Sequence, residues 1–124
     1  MLYVQQQLTP GGYVTVRPQG QLDALSVAVF RCVLADIATP EALVIDLSGL
    51  VFIDSVGLGA LVGGVRRAQE GGTRVAVACT RPALTQILRD SGLGTIVTLA
   101  DSLEAATADL QNNARATGLA AIRE

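Results

Sequence analysis

At 124 residues, 50% of them apolar, and with a formal charge of −2, the chain has the size and composition of one folded domain and not of a disordered segment. That charge offers no basic field for nucleic acid or for an anionic membrane surface, and the adjacent Arg66 and Arg67 read as two solvated side chains, with a local basic patch as the alternative. With two Phe, two Tyr and no Trp, the core has to be built from Val, Leu, Ile and Ala.

No apolar run approaches the roughly 20 residues of a membrane span. The opening Met1–Gln7 lacks the charged and apolar regions of a secretory signal. Both features point to a cytoplasmic protein. Cys32 and Cys79 lie far apart, neither sits in a C-x-x-C pattern, and the chain has no histidine. No metal or cofactor is expected from such a set. Both thiols read as buried small hydrophobes in a reducing compartment, with a redox pairing as the alternative.

In chain order, Leu2, Val4, Gln6 and Leu8 alternate with Tyr3, Gln5 and Gln7, which is strand periodicity. Thr9-Pro10-Gly11-Gly12 is a turn, and Tyr13–Arg17 is the second strand of a hairpin, ended by Pro18-Gln19-Gly20. A helix is expected from about Ala24 to Ala38. Its inner face carries Val27, Phe30, Val33, Leu34 and Ile37, and a second apolar patch carries Leu25, Val29 and Cys32. Pro40 stops it. Leu43-Val44-Ile45 is a short β-branched run of the kind buried in parallel sheets. The triplet Val51-Phe52-Ile53 follows a Ser48-Gly49 turn, and a helix starts near Ser55.

Arg74–Ala78 is another strand. Thr80 is the expected cap of a short helix with Pro82 in its first turn and Gly92 at its stop. Thr95–Leu99 is the last strand. Asp101 is the expected cap of a final helix, with Glu104 at capping-box spacing and Leu103, Ala106 and Leu110 facing inward. That helix ends at Thr117-Gly118, and 119–124 reads as a loose tail. After the hairpin, strands and helices alternate with short connections, which implies right-handed crossovers and a mostly parallel sheet: an α/β domain over 1–118 with about four helices.

Asp54-Ser55-Val56-Gly57-Leu58-Gly59 joins an apolar strand to a helix. Leu58, Leu61, Val62, Val65 and Ala68 form the stripe expected to face the sheet. Val56, Gly59, Ala60 and Gly63 form a small, flat opposite face. Each helical glycine costs about 1 kcal/mol against Ala, so something else must favour them, and close approach of another backbone is one reason. Ser55 has two readings. It is a plain N-cap, with Asp54 as a second choice for that job; or it accepts a phosphate, an anion that a helix N-terminus tolerates. In the second case a charge of about −1.5 to −2 arrives beside Asp54 and Asp23.

The stretch Leu43–Leu61, with its apolar strand, Asp46-containing turn, apolar triplet and Asp54-Ser55-Val56-Gly57-Leu58-Gly59, resembles the signature of STAS-domain anti-sigma-factor antagonists. Gly20-Gln21-Leu22-Asp23 resembles the family's Gly-Glu-Leu-Asp landmark, and Leu88 with Gly92-Leu93 a third. The resemblance implies a STAS fold. It implies that Ser55 is phosphorylated by a partner that is both anti-sigma factor and Ser/Thr kinase, that the unphosphorylated form binds this partner and frees a sigma factor, and that a PP2C-type phosphatase resets it. The partner surface would comprise Asp23, Asp54, Val56, Gly57, Gly59 and Ala60. Gln21 stands where the family usually has Glu, and Val56 where Ser or Thr is frequent, so Ser55 has no adjacent rival hydroxyl.

An enzyme is disfavoured: there is no histidine or lysine to act as base, no G-x-S-x-G and no phosphate loop. The same fold also serves as a constitutive scaffold or as an accessory subunit of a stress-signalling assembly or transporter, which is the alternative function. The Leu25/Val29/Cys32 patch leaves room for a weak homodimer.

Overall fold

The computed structural model describes residues 1–9, 13–37 and 40–112. Two strands open the chain, β1 (Leu2–Thr9) and β2 (Tyr13–Leu22), followed by α1 (Val27–Asp36), β3 (Ala42–Asp46), β4 (Leu50–Ile53), α2 (Ser55–Glu70), β5 (Arg74–Ala78), α3 (Pro82–Asp90), a 3₁₀ turn (Leu93–Thr95) and β6 (Thr98–Ala100). Residues 103–112 are helical and are called α4. The sheet runs β1-β2-β3-β5-β6, and β4 pairs with β2 off this path. Only β1 is antiparallel; every other pairing is parallel. The α/β architecture read from the sequence is the one observed.

Two layers cover the sheet. On one face Val16, Leu22, Phe30, Ile45, Leu61, Val65, Val77 and Leu88 form the main core beneath α1, α2 and α3. On the other, Ala42, Val44, Ala76 and Ala78 meet Ala106 and Leu110 of α4. Alternate residues of β3 and β5 serve opposite faces, so both strands are buried throughout their apolar stretch.

Several boundaries differ from the sequence reading. β2 does not end at Pro18 but runs on to Leu22. Its pairing with β3 ends at Val16↔Ile45 and its pairing with β4 begins at Gly20↔Leu50, so residues 17–19 fall in a gap. Gly20 N–H donates to Gly49 on that side, and Pro18 shares its parity, so the missing proline N–H costs no ladder bond. The triplet 51–53 is part of a true strand, β4, which extends the far half of β2.

Helix α1 starts at Val27 and not Ala24, because residues 23–26 form a hydrogen-bonded turn. Ala38 lies outside the described residues. Arg81, not Thr80, precedes α3, with no side-chain cap. Gly92 does stop α3, at φ +86°. The last strand begins at Thr98, since Leu93–Thr95 close a 3₁₀ turn first. Ser102, not Asp101, caps α4, accepting the Ala105 N–H at 3.1 Å. The proposed end of α4 and the tail 119–124 lie outside the described residues. Both cysteines are free; Cys79 is buried as expected, but Cys32 is exposed, sitting about 200° around α1 from the inward Phe30.

Candidate functional site: the start of α2

β2 and β4 end side by side at Leu22 and Ile53, and the chain leaves β4 through Asp54. The Asp54 backbone is extended (φ −103°, ψ −177°), and its N–H donates to Leu22 O at 3.2 Å. The Leu58 N–H then donates to Asp54 O at 2.9 Å and begins the helix. The carboxylate of Asp54 is shared. One oxygen accepts the Gly57 N–H at 2.8 Å, and the other accepts the Ala24 N–H at 3.1 Å. One side chain thus caps α2 and ties it to the loop entering α1. The Gly57 bond is the main cause that holds the Asp54 carboxyl below its ordinary value of 3.8; burial opposes it, and the weaker bond from Ala24 adds to the lowering.

Of the two readings of Ser55, the N-cap one is excluded by this geometry: Asp54 has that position. Ser55 is the first residue of α2, it is exposed, and its hydroxyl takes part in no hydrogen bond among the described residues. Val56 is exposed beside it at 42%.

Asp23 lies across the loop. Its Oδ1 accepts the N–H groups of Leu25 and Ser26, each at 3.1 Å. Ser26, although buried, is fully used: its hydroxyl donates to Gln21 O at 2.7 Å and accepts from the Asp23 N–H at 3.0 Å. Asp23 and Ser26 shape the loop that carries Ala24 to Asp54. Leu25, next in that loop, is 96% exposed.

The structure therefore brings Asp23, Asp54, Ser55 and Val56 together, with Gly59 exposed one turn further along α2. Gly57 and Ala60 point the other way, and their expected place on an outward partner surface is corrected. Both are buried. A Cβ at Gly57 would run into the Leu22 carbonyl oxygen, and Ala60 belongs to the main core. Gly64 is likewise inward, where a Cβ would stand 2.6 Å from Leu34 Cδ1. The close approach that explains the glycines is real, but it happens at Gly57 and Gly64 on the inner face. Gly59 has nothing within 4 Å of its missing Cβ. Sequence position alone places Leu25 in a patch on the back of α1. The bond from Ala24 to Asp54 that ties its loop to the start of α2 spans thirty positions, and no local pattern signals it.

Fold and site together define a small α/β domain that offers an exposed serine at a rigidly capped helix start. The chain belongs to the STAS domain family, which matches residues 4–106. Its fold is similar to that of an anti-sigma factor antagonist from Mycobacterium paratuberculosis, at 23% identity and a TM-score of 0.81 over 90% of this chain and 95% of that one. The Bacillus cell fate determinant SpoIIAA in its phosphorylated form is similar at 23% identity and a TM-score of 0.66, over 87% of this chain and 99% of that one. A sulfate transporter family protein from Wolinella succinogenes matches at 19% identity and a TM-score of 0.73, over 85% and 89%. At these identities the likeness is one of fold. No helix among the described residues is long and apolar enough to cross a membrane.

Proposed function

We propose that this protein is an anti-sigma-factor antagonist of a bacterial cytoplasm, not an enzyme, and that phosphorylation of Ser55 switches its binding off. The observation that carries this reading is the division of labour at the start of α2. Asp54 caps the helix, so the Ser55 hydroxyl is exposed and uncommitted. A kinase can reach it without breaking any bond that holds the fold. In the unphosphorylated form a partner docks over Ser55, Val56, Gly59 and the Leu25 loop. This partner is an anti-sigma factor with Ser/Thr kinase activity, and docking releases its sigma factor.

Phosphate adds about −1.5 to −2 of charge. The helix end offsets it only in part, because the carboxylate of Asp54 already holds the Gly57 N–H. The new dianion therefore stands beside an existing anion, at the centre of the docking surface, and binding is lost while the fold persists. A PP2C-type phosphatase restores the binding form.

The test is intact-mass analysis after incubation with ATP and each anti-sigma-type kinase of the same genome, with Ser55→Ala alongside. The expected result is one phosphate on wild type only, constitutive binding by Ser55→Ala, and weakened binding by Ser55→Asp. The likeness to a sulfate transporter family protein supports a second reading, a constitutive scaffold or transporter subunit. Tight complex formation with no phosphate from any kinase would favour that one.

A further inference from the structure

β1 is an outer strand of the sheet, and it is unlike the other free edges. β6 has three residues and β4 has four, whereas β1 has eight, a length of about 27 Å. Natural sheets blunt such an edge with charge, proline or a bulge. Leu2–Thr9 contains no charged residue and no proline, and its pairing with β2 is one-to-one from Leu2↔Gly20 to Thr9↔Tyr13.

The free hydrogen-bonding row follows from parity. Gln21 N–H donates to Met1 O, while Gly20 N–H points the other way, to Gly49. Odd residues of β2 therefore bond odd residues of β1. Among the described residues, the backbone groups of Leu2, Val4, Gln6 and Leu8 face outward with no strand to meet them.

We propose that β1 is the seam of a two-fold homodimer in which the sheets of two copies join edge to edge, antiparallel, with Gln5 on the axis. Only a pairing of even residues satisfies the outward row, and the register centred on the strand places Leu2 opposite Leu8 of the second copy and Val4 opposite Gln6. Gln5 then faces its own counterpart. A two-fold seam puts its central residue against itself, where Lys or Glu would meet its like; a glutamine amide both donates and accepts. Its Oε1 already takes the Gln19 amide at 3.3 Å, which leaves its own NH₂ free to cross the axis.

The seam also covers side chains that the monomer leaves bare, Leu8 at 74% and Tyr3 at 62% exposure. A second, separate surface meets on the same axis. α1 packs on β1, β2 and α2. Leu34 faces α2 at Gly64, and Val29 lies about 140° around the helix from it, on the flank nearer β1. Joining the sheets sets the two copies of α1 alongside each other, so that Val29, 46% exposed, faces the axis. This dimer requires nothing of the role proposed for Ser55.

Sedimentation equilibrium of the full chain up to about 1 mM tests it. Wild type should self-associate, and Gln6→Pro should weaken the dimer by about tenfold or more, because one outward N–H is lost from each copy while the bonds to β2 stay. In a Cys32→Ser background, Gln5→Cys should give a disulfide-linked dimer under mild oxidation, since residues directly opposite have Cβ atoms about 5 Å apart. Gln7→Cys should not, being paired with Tyr3. A strictly monomeric wild type, a dimer untouched by Gln6→Pro, or equal cross-linking of the two cysteine variants would each overturn the proposal. If Gln6→Pro fails to fold, the cysteine pair decides.

Discussion

Helices α2 and α3 both begin at the C-terminal ends of parallel strands, and the two starts are built differently. α3 follows β5 through Arg81, which makes no side-chain cap, and Pro82 occupies the first turn, where its absent N–H is no loss. α2 follows β4 through Asp54, whose carboxylate closes the helix and also clamps the Ala24 loop. The first start merely turns the chain. The second holds two backbones at once and leaves the next residue, Ser55, exposed and unused. A helix end becomes a switch site when the stabilising duty falls on a neighbour of the reactive group.

The sharpest way to break this comparison is at the close approach beneath the α2 start. Gly57→Ala should cost about 2–3 kcal/mol in urea unfolding, or prevent folding, because its Cβ meets the Leu22 carbonyl and the sheet end cannot withdraw. The two caps come next. Asp54→Ala should lose about 1–2 kcal/mol, whereas Arg81→Ala at the start of α3 should stay within about 0.5 kcal/mol.

Acid should narrow the advantage of wild type over Asp54→Asn in thermal melts. The folded-state pKa of Asp54 is depressed, so its contribution is complete above the ordinary value of 3.8 and is lost as pH falls through the depressed one. An advantage that stayed constant from about pH 6 to about pH 2 would contradict this assignment.

Gly59→Ala should stabilise by about 0.5–1 kcal/mol, the reverse of Gly57→Ala two residues away, since the site is open. The smallest effect is expected at Ser55. Ser55→Ala should change stability by less than about 0.5 kcal/mol, whereas a true N-cap would cost about 1 kcal/mol. A full cap penalty there would return the capping duty to Ser55 and remove the main support for the switch.

Much of this was legible beforehand. Alternation in residues 2–8, the β-branched runs at 43–45 and 74–78, and the inward Val27 and Phe30 identified the hairpin, the parallel strands and the packing face of α1. The motif at 54–59 pointed to the correct helix start. What no local pattern carries depended on distant partners. Pro18 looked like a strand end because a missing N–H normally costs a bond, and the gap between β3 and β4 is visible only in three dimensions. Helical spacing assigned Ala60 to an outward face because it weighs apolar bulk. In the fold the small residues Gly57, Ala60 and Gly64 are the ones turned inward, with the Leu22 backbone too close to Gly57 for any side chain and Leu34 packed against Gly64.

The sequence by itself determined the alternation of strands and helices, the composition of the core and the presence of a serine at a helix start, because periodicity, turn chemistry and capping residues act over a few positions. Tertiary structure decided which residue caps that helix, which glycines are indispensable and which face of α2 is free. Those depend on the carbonyl of Leu22 and the amide of Ala24, groups every residue carries and no local pattern distinguishes, brought to Gly57 and Asp54 only when the sheet is assembled.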